Sequence, residues 1–205
     1  MKLKVPFVRN LKVWKGRGWC GPLVVACVLR YYGLKDSVPE IVKGVGTKLK
    51  VGTPPQGIIN FCLNKRLTTI RLSETEFMRN NKKELSKKAK EFFTKHDIER
   101  REKKFLKKNR KFKYYKFIKK KPTLKDIEKF IKQRKPIIVT MNLAEIYNKD
   151  NFWPHYVVVV GSDKENIYIH NVYPKNNPYE KVKKKIFIES LTSQGLDGNL
   201  IIPHK

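Results

Sequence analysis

Three residues far apart in the chain, Cys20, His155 and Asn171, are of the types that together can run thiol acyl chemistry. Cys20 heads the apolar run Cys-Gly-Pro-Leu-Val-Val-Ala-Cys-Val-Leu-Arg-Tyr-Tyr32, with Pro22 in the first turn and Gly33 just past the end. That pattern predicts a buried helix beginning at the cysteine. Unpaired backbone N–H groups and the positive dipole end at a helix start favour a thiolate over a thiol. A thiol nucleophile needs a base, and His155 stands immediately before the β-branched run Tyr156 to Val160, where a sheet could aim its ring. Asn171 follows the next such run, Ile167 to Ile169, and could orient the imidazole.

Each of these residues also has a structural reading. Cys20 could be a buried inert thiol, but a helix-start cysteine between Trp19 and Gly21-Pro22 is poorly suited to filling a core. His155 alone would read as a strand-edge residue, and Asn171, before Val172-Tyr-Pro174, as a turn residue bonded to its own backbone. Only the joint context favours a catalytic role. Cys27, about two turns beyond Cys20, and Cys62 fall in apolar helical stretches and read as core; His96, His170 and His204 lack a supporting context. No Cys or His pair has metal-ligand spacing, and Lys43-Gly-Val-Gly-Thr47 lacks the surroundings of a phosphate loop. Neither a metal nor a nucleotide cofactor is expected.

The elements that must hold the three residues follow from pattern. Val5 to Asn10 reads as extended, Ser37-Val-Pro-Glu40 as a capping box opening a short helix, and Gln56 to Asn64 as a further helix after a Gly- and Pro-rich loop. A helix after Pro122-Thr123 presents Leu124, Ile127, Phe130 and Ile131 as its buried stripe. Pro136 to Met141, Tyr156 to Val160 and Ile167 to Ile169 read as strands, Lys185 to Leu191 as a strand or short helix, and Leu200 to Ile202 as a final strand. Helices first and strands afterwards make an α+β fold with segregated layers.

The local sequences carry a family resemblance. Gly18-Trp19-Cys20-Gly21-Pro22, with the helix end Leu29-Arg30-Tyr31-Tyr32-Gly33, resembles the nucleophile segment of the double-glycine leader (bacteriocin-processing) peptidases, family thirty-nine of the papain-like cysteine peptidases. His155-Tyr-Val-Val-Val-Val-Gly161-Ser-Asp163 is similar to that family's histidine strand, and Ile167-Tyr-Ile-His-Asn171 to the strand ending in the orienting residue. The resemblance covers roughly residues 5 to 64 and 122 to 202. It implies a papain-like cysteine proteinase fold, an N-terminal helical layer on a C-terminal antiparallel sheet, and hydrolysis of a peptide or protein amide bond through an acyl-enzyme. The chain departs from the family twice. Asn171 stands where the family usually has Asp, a change papain-like proteases accommodate. Asn10, after Val5-Pro6-Phe7, stands where the family places an oxyanion-hole Gln; its shorter amide and the Cys20 amide are the expected oxyanion donors.

Composition bounds the rest. The 205 residues, 40% hydrophobic, suffice for one domain with one core. No apolar stretch reaches the ~20 residues of a membrane span, and three cysteines make no disulfide framework, so a soluble cytoplasmic protein is expected. The net charge of +29 would attract anionic partners. Much of it lies between Lys82 and Lys121, where nineteen Lys or Arg face five acids with aromatics interleaved. That stretch reads as a basic helical insertion, most simply a solvated face, and alternatively a surface for nucleic acid or an anionic membrane. Two functions of different class remain open: a peptidase, or a catalytically silent papain-like scaffold binding an anionic partner through the insertion.

Overall fold

The computed structural model describes residues 1–11, 18–48, 51–75, 86–95, 98–109 and 111–205. Three helices lead: α1 (Cys20–Tyr31), α2 (Val38–Gly44) and α3 (Pro55–Asn64). Strand β1 (Thr68–Ser73) precedes helices α4 (Lys87–Lys95) and α5 (Ile98–Asn109) and strand β2 (Tyr115–Lys119). Helix α6 (Leu124–Lys132), strand β3 (Ile137–Asn142) and the single turn α7 (Leu143–Ile146) follow. The C-terminal part holds β4 (Pro154–Ser162), β5 (Asn166–Asn171), β6 (Asn177–Lys183), α8 (Lys184–Thr192) and β7 (Asn199–His204).

The seven strands form one sheet in the order β2-β1-β7-β3-β4-β5-β6. Every pairing is antiparallel except β1 with β2, which run parallel. The expected antiparallel sheet is therefore mixed, because β2 arrives from the 82–121 stretch and adds to the far edge of β1. That stretch holds helices α4 and α5, but its end, expected as helix, is strand: Tyr-Lys-Phe-Ile-Lys pairs with β1 over five residues.

Helix α1 forms where its residue pattern requires. Leu23 through Leu29 are all buried, so it is a core helix with no solvent face over those two turns, and it packs on β4, α2 and α3. Burying each Leu or Val contributes roughly 1.5–3 kcal/mol, more than the weak helix propensity of valine costs. The helix stops at Tyr32, and Gly33 takes the left-handed turn (φ +80°) with its N–H on the Arg30 carbonyl. The capping box at Ser37 and Glu40 opens α2, and a second at Thr123 and Asp126 opens α6, which buries Ile127, Phe130 and Ile131. The core lies between these helices and the buried strands β3, β4 and β7.

The 82–121 stretch is anchored as well as charged. Glu102 and Asn109 of α5 are fully buried, and Asn109 Nδ2 donates to the Gln56 carbonyl at 3.0 Å and to Gln56 Oε1 at 2.9 Å on α3. Ala89 of α4 packs with Leu196, against Phe92, Phe152 and Val51. Ser86 Oγ donates to Gln194 Oε1 at 2.8 Å. Among the described helices none is long and apolar enough to cross a membrane.

Candidate active site

Cys20 is the first residue of α1, and two glycines set the backbone around it. A Cβ on Gly21 would lie 2.5 Å from Thr53 Oγ1 and 2.6 Å from Thr53 Cβ, so only glycine lets the loop at Thr53 cross this close to the first turn. Gly18 is left-handed (φ +71°), and a Cβ there would meet the Gly52 amide nitrogen at 3.1 Å. The same loop is tied to the sheet by the Tyr156 hydroxyl, which donates to the Thr53 carbonyl at 3.1 Å.

His155 lies inside β4, opposite Met141 of β3, one residue further into the sheet than expected from its place ahead of the apolar run. The strand begins at Pro154 because Trp153 is itself held: Asn142 Oδ1 accepts its N–H at 2.8 Å, and its carbonyl accepts the Leu143 N–H at 2.9 Å. Asn171 closes β5, and its Oδ1 lies 3.1 Å from His155 Nε2. Its Nδ2 donates to Glu180 Oε2 of β6 and to the Tyr147 hydroxyl, each at 2.9 Å. Asn10 is buried, with its backbone gripped by one side chain: Asn176 Oδ1 accepts its N–H at 2.6 Å and Asn176 Nδ2 donates to its carbonyl at 2.9 Å.

Asn10, Cys20 and His155 line one cleft of about 280 Å³. Its walls are aromatic: Trp19, Phe92, Phe152, Trp153 and Tyr173, with Val51, Gly52 and Pro154 between them. Phe92, from α4, meets Phe152 edge to face at 5.7 Å, so the basic stretch supplies part of the cleft. Asn171 stands behind His155 and outside the lining.

Electrostatics favour neutral groups in the free cleft. Cys20 is partly exposed where it opens on the cleft, yet burial of its thiol pushes the pKa up, against smaller opposing hydrogen bonds from the backbone of Tyr156, Gly21 and Cys20 itself. Burial also pushes His155 down to about 4, with its bond to Asn171 opposing. The helix start alone favours a thiolate at Cys20, whereas burial acts against charge on both Cys20 and His155. Cys27 and Cys62 are fully buried with their thiols pushed up to about 12, and Cys27 Sγ accepts the Val8 N–H at 3.3 Å.

The remaining histidines divide simply. His170, on the neighbouring strand, donates from Nε2 to the Val5 carbonyl at 2.8 Å and accepts the Tyr179 N–H on Nδ1 at 3.2 Å, which makes it a brace for the N-terminal segment. His204 Nδ1 lies near the Ile202 carbonyl at 3.3 Å, and His96 lies outside the described residues. Among the described residues no group of three His, Cys, Asp or Glu could hold a metal ion.

Sequence reading did not find Glu180, Tyr147, Asn176 or the aromatic walls. Glu180 carried no signal, because its approach to Asn171 depends on a register shift between β5 and β6, where Ile169 faces Glu180 but Asn171 faces Asn177.

The model of the Peptidase_C39 like family matches residues 2–195. No curated relative matches the sequence. Among solved structures, the fold is similar to a double glycine motif protease from an AMS/PCAT transporter in complex with the leader peptide (TM-score 0.54, 16% identity, covering 100% of this chain and 94% of that one). It is similar also to the peptidase domain of Streptococcus ComA, described as a bifunctional ABC transporter of a quorum-sensing pathway (0.53, 19%, 100% and 98%). A third likeness is to a Bacillus anthracis chain described as a C39-like peptidase (0.59, 13%, 100% and 98%). At these identities the likeness establishes the papain-like fold.

Proposed function

The chain belongs to the Peptidase_C39 like family, and from that premise we propose that it is a cysteine peptidase in which Cys20 attacks a peptide carbonyl. The observation that carries this reading is the convergence on one cleft of the α1 N-terminal thiol and an imidazole already hydrogen-bonded to Asn171. The Cys20 proton passes to His155 Nδ1 as the S–C bond forms. The oxyanion faces the Cys20 amide and Asn10. Collapse breaks the C–N bond, and His155 returns its proton to the leaving amine. A thioester remains. Water then attacks it with His155 again taking a proton, and the acid leaves with the thiol restored; a competing amine at this step would give transfer instead of hydrolysis.

With burial opposing charge on both groups, His155 acts as a general base during attack. A base held near 4 takes the proton reluctantly and returns it readily, so attack by the thiol, not protonation of the leaving amine, is the harder part of thioester formation. A peptide substrate is supported by the leader peptide seen in one structural relative and by an aromatic cleft able to hold apolar side chains. Three unpaired thiols suit a reducing, cytoplasmic setting.

The opposition of burial to charge at both Cys20 and His155 is the observation that favours the second reading, a silent scaffold. Its anionic partner would meet exposed lysines of α5 such as Lys103, Lys104, Lys107 and Lys108. One experiment separates the two: wild type and Cys20→Ala are incubated with a proteome-derived peptide library and new N-termini are identified by mass spectrometry. The peptidase reading expects cleavages that vanish in Cys20→Ala; identical profiles overturn it.

A further inference from the structure

A carboxamide is nearly symmetric in shape, so what surrounds Asn171 decides which end faces His155. The choice matters chemically. If Oδ1 faces Nε2, the ring must carry its proton there, and Nδ1 keeps a lone pair. If Nδ2 faced Nε2, the proton would sit on Nδ1 and the ring would have no basic nitrogen left for the cleft. His155 cannot decide, because either ring nitrogen can donate or accept.

The groups behind Asn171 can decide. A carboxylate has no hydrogen to give, so Glu180 Oε2, at 2.9 Å, accepts from Nδ2 and would repel Oδ1. The Tyr147 hydroxyl can serve either end, but it lies 3.4 Å from Glu180 Oε1, and donating there turns its lone pairs toward Nδ2, at 2.9 Å. The Tyr173 N–H, a donor only, lies on the Oδ1 side at 3.4 Å, a long and weak vote in the same direction.

We propose that Glu180 is a positioning residue: through Asn171 it holds His155 in the Nε2–H tautomer, with Tyr147 as the hydroxyl that completes the arrangement. The inference rests on the reading of His155 as the base, but the tautomer exists without turnover. It can therefore fail, or stand, independently of peptidase activity.

The test is ¹⁵N NMR of histidine-labelled protein near neutral pH, with His155 assigned by its loss in His155→Gln. Wild type is expected to show one His155 form, protonated at Nε2 and bare at Nδ1. In Glu180→Ala the Tyr147 hydroxyl is released to donate or accept, and the single form is expected to give way to a mixture that only the long Tyr173 N–H contact still biases toward Nε2–H. Glu180→Gln, whose amide can turn either end to Asn171, serves if the alanine variant loses its fold, and a mixture is expected there too. Tyr147→Phe, which leaves the carboxylate in place, should keep the single form. His170, whose Nδ1 accepts the N–H of Tyr179 beside Glu180, reports whether β5 and β6 still pair in each variant. A pure Nε2–H form in every folded Glu180 variant, or an Nδ1–H form in wild type, overturns the proposal.

Discussion

His155 shows how one buried residue links chemistry to stability. It is 2% exposed, and its pKa is lowered from 6.5 to about 4. The sign follows from which state binds more protons: between these values the unfolded chain is protonated and the native ring is not. Its contribution is therefore complete above about pH 6.5 and is lost as pH falls through about 4. At about 1.4 kcal/mol per pH unit the total is worth roughly 3 kcal/mol. Urea unfolding of wild type and His155→Gln between pH 7 and pH 4 should show the wild type losing more stability on acidification, by roughly that amount. Parallel curves would mean that the imidazole is hydrated. The candidate residues could be singled out in the sequence. Cys20 was marked by Gly18-Trp19 before it and Gly21-Pro22 after it, His155 and Asn171 by the apolar strands beside them. Glu180 and Asn176 were not, because each acts through a partner brought in by register, not by spacing along the chain.

At the level of elements, most of the helices and the strands β3, β4, β5 and β7 were legible from period and caps, while the sheet's margins were not. Edge strand β6 contains Pro178 and two lysines, and edge strand β2 reads Tyr-Lys-Phe-Ile-Lys. These are the devices by which edges avoid pairing with other chains, and they also blur the strand pattern. Strand β1, Thr68–Ser73, was passed over although Thr-Thr-Ile is β-branched, since Arg71 interrupts the apolar alternation and is nonetheless fully buried. The junction that matters most for chemistry is the first turn of α1 under the Thr53 loop. Alanine in place of Gly21 would gain about 1 kcal/mol in helix propensity, but its Cβ would overlap the Thr53 Cβ, which no side-chain rotation removes. Overpacking typically costs 1–3 kcal/mol, so the net effect of Gly21→Ala is expected to be destabilising by about 1 kcal/mol. Calorimetric melting checks the sign; an equal or higher Tm would show that the loop yields freely.

Across the whole molecule, the basic stretch is packed into the same sheet and cleft as the rest. Glu102 and Asn109 are buried within it, β2 extends the sheet and Phe92 lines the cleft, so the charge is carried on the outside of a structural part. A lysine-rich composition hid this from sequence reading, which registers charge runs as solvated faces. The fold persists at 13–19% identity to solved relatives because buried helix and strand patterns survive where surfaces do not. What the fold delivers is one cleft lined by both Cys20 and an imidazole bonded to Asn171, and that arrangement is best tested with an electrophile that must be seated before it reacts. A peptidyl vinyl sulfone with an apolar side chain next to the warhead would be incubated with wild type and His155→Ala at pH 7, and the adduct sites and rates read by peptide mass mapping. The account expects a single adduct on Cys20, none on Cys27 or Cys62, and a rate at least about a hundredfold lower in His155→Ala. Labelling of Cys20 at the same rate in both proteins would reflect exposure alone and would contradict the assignment of a catalytic pair.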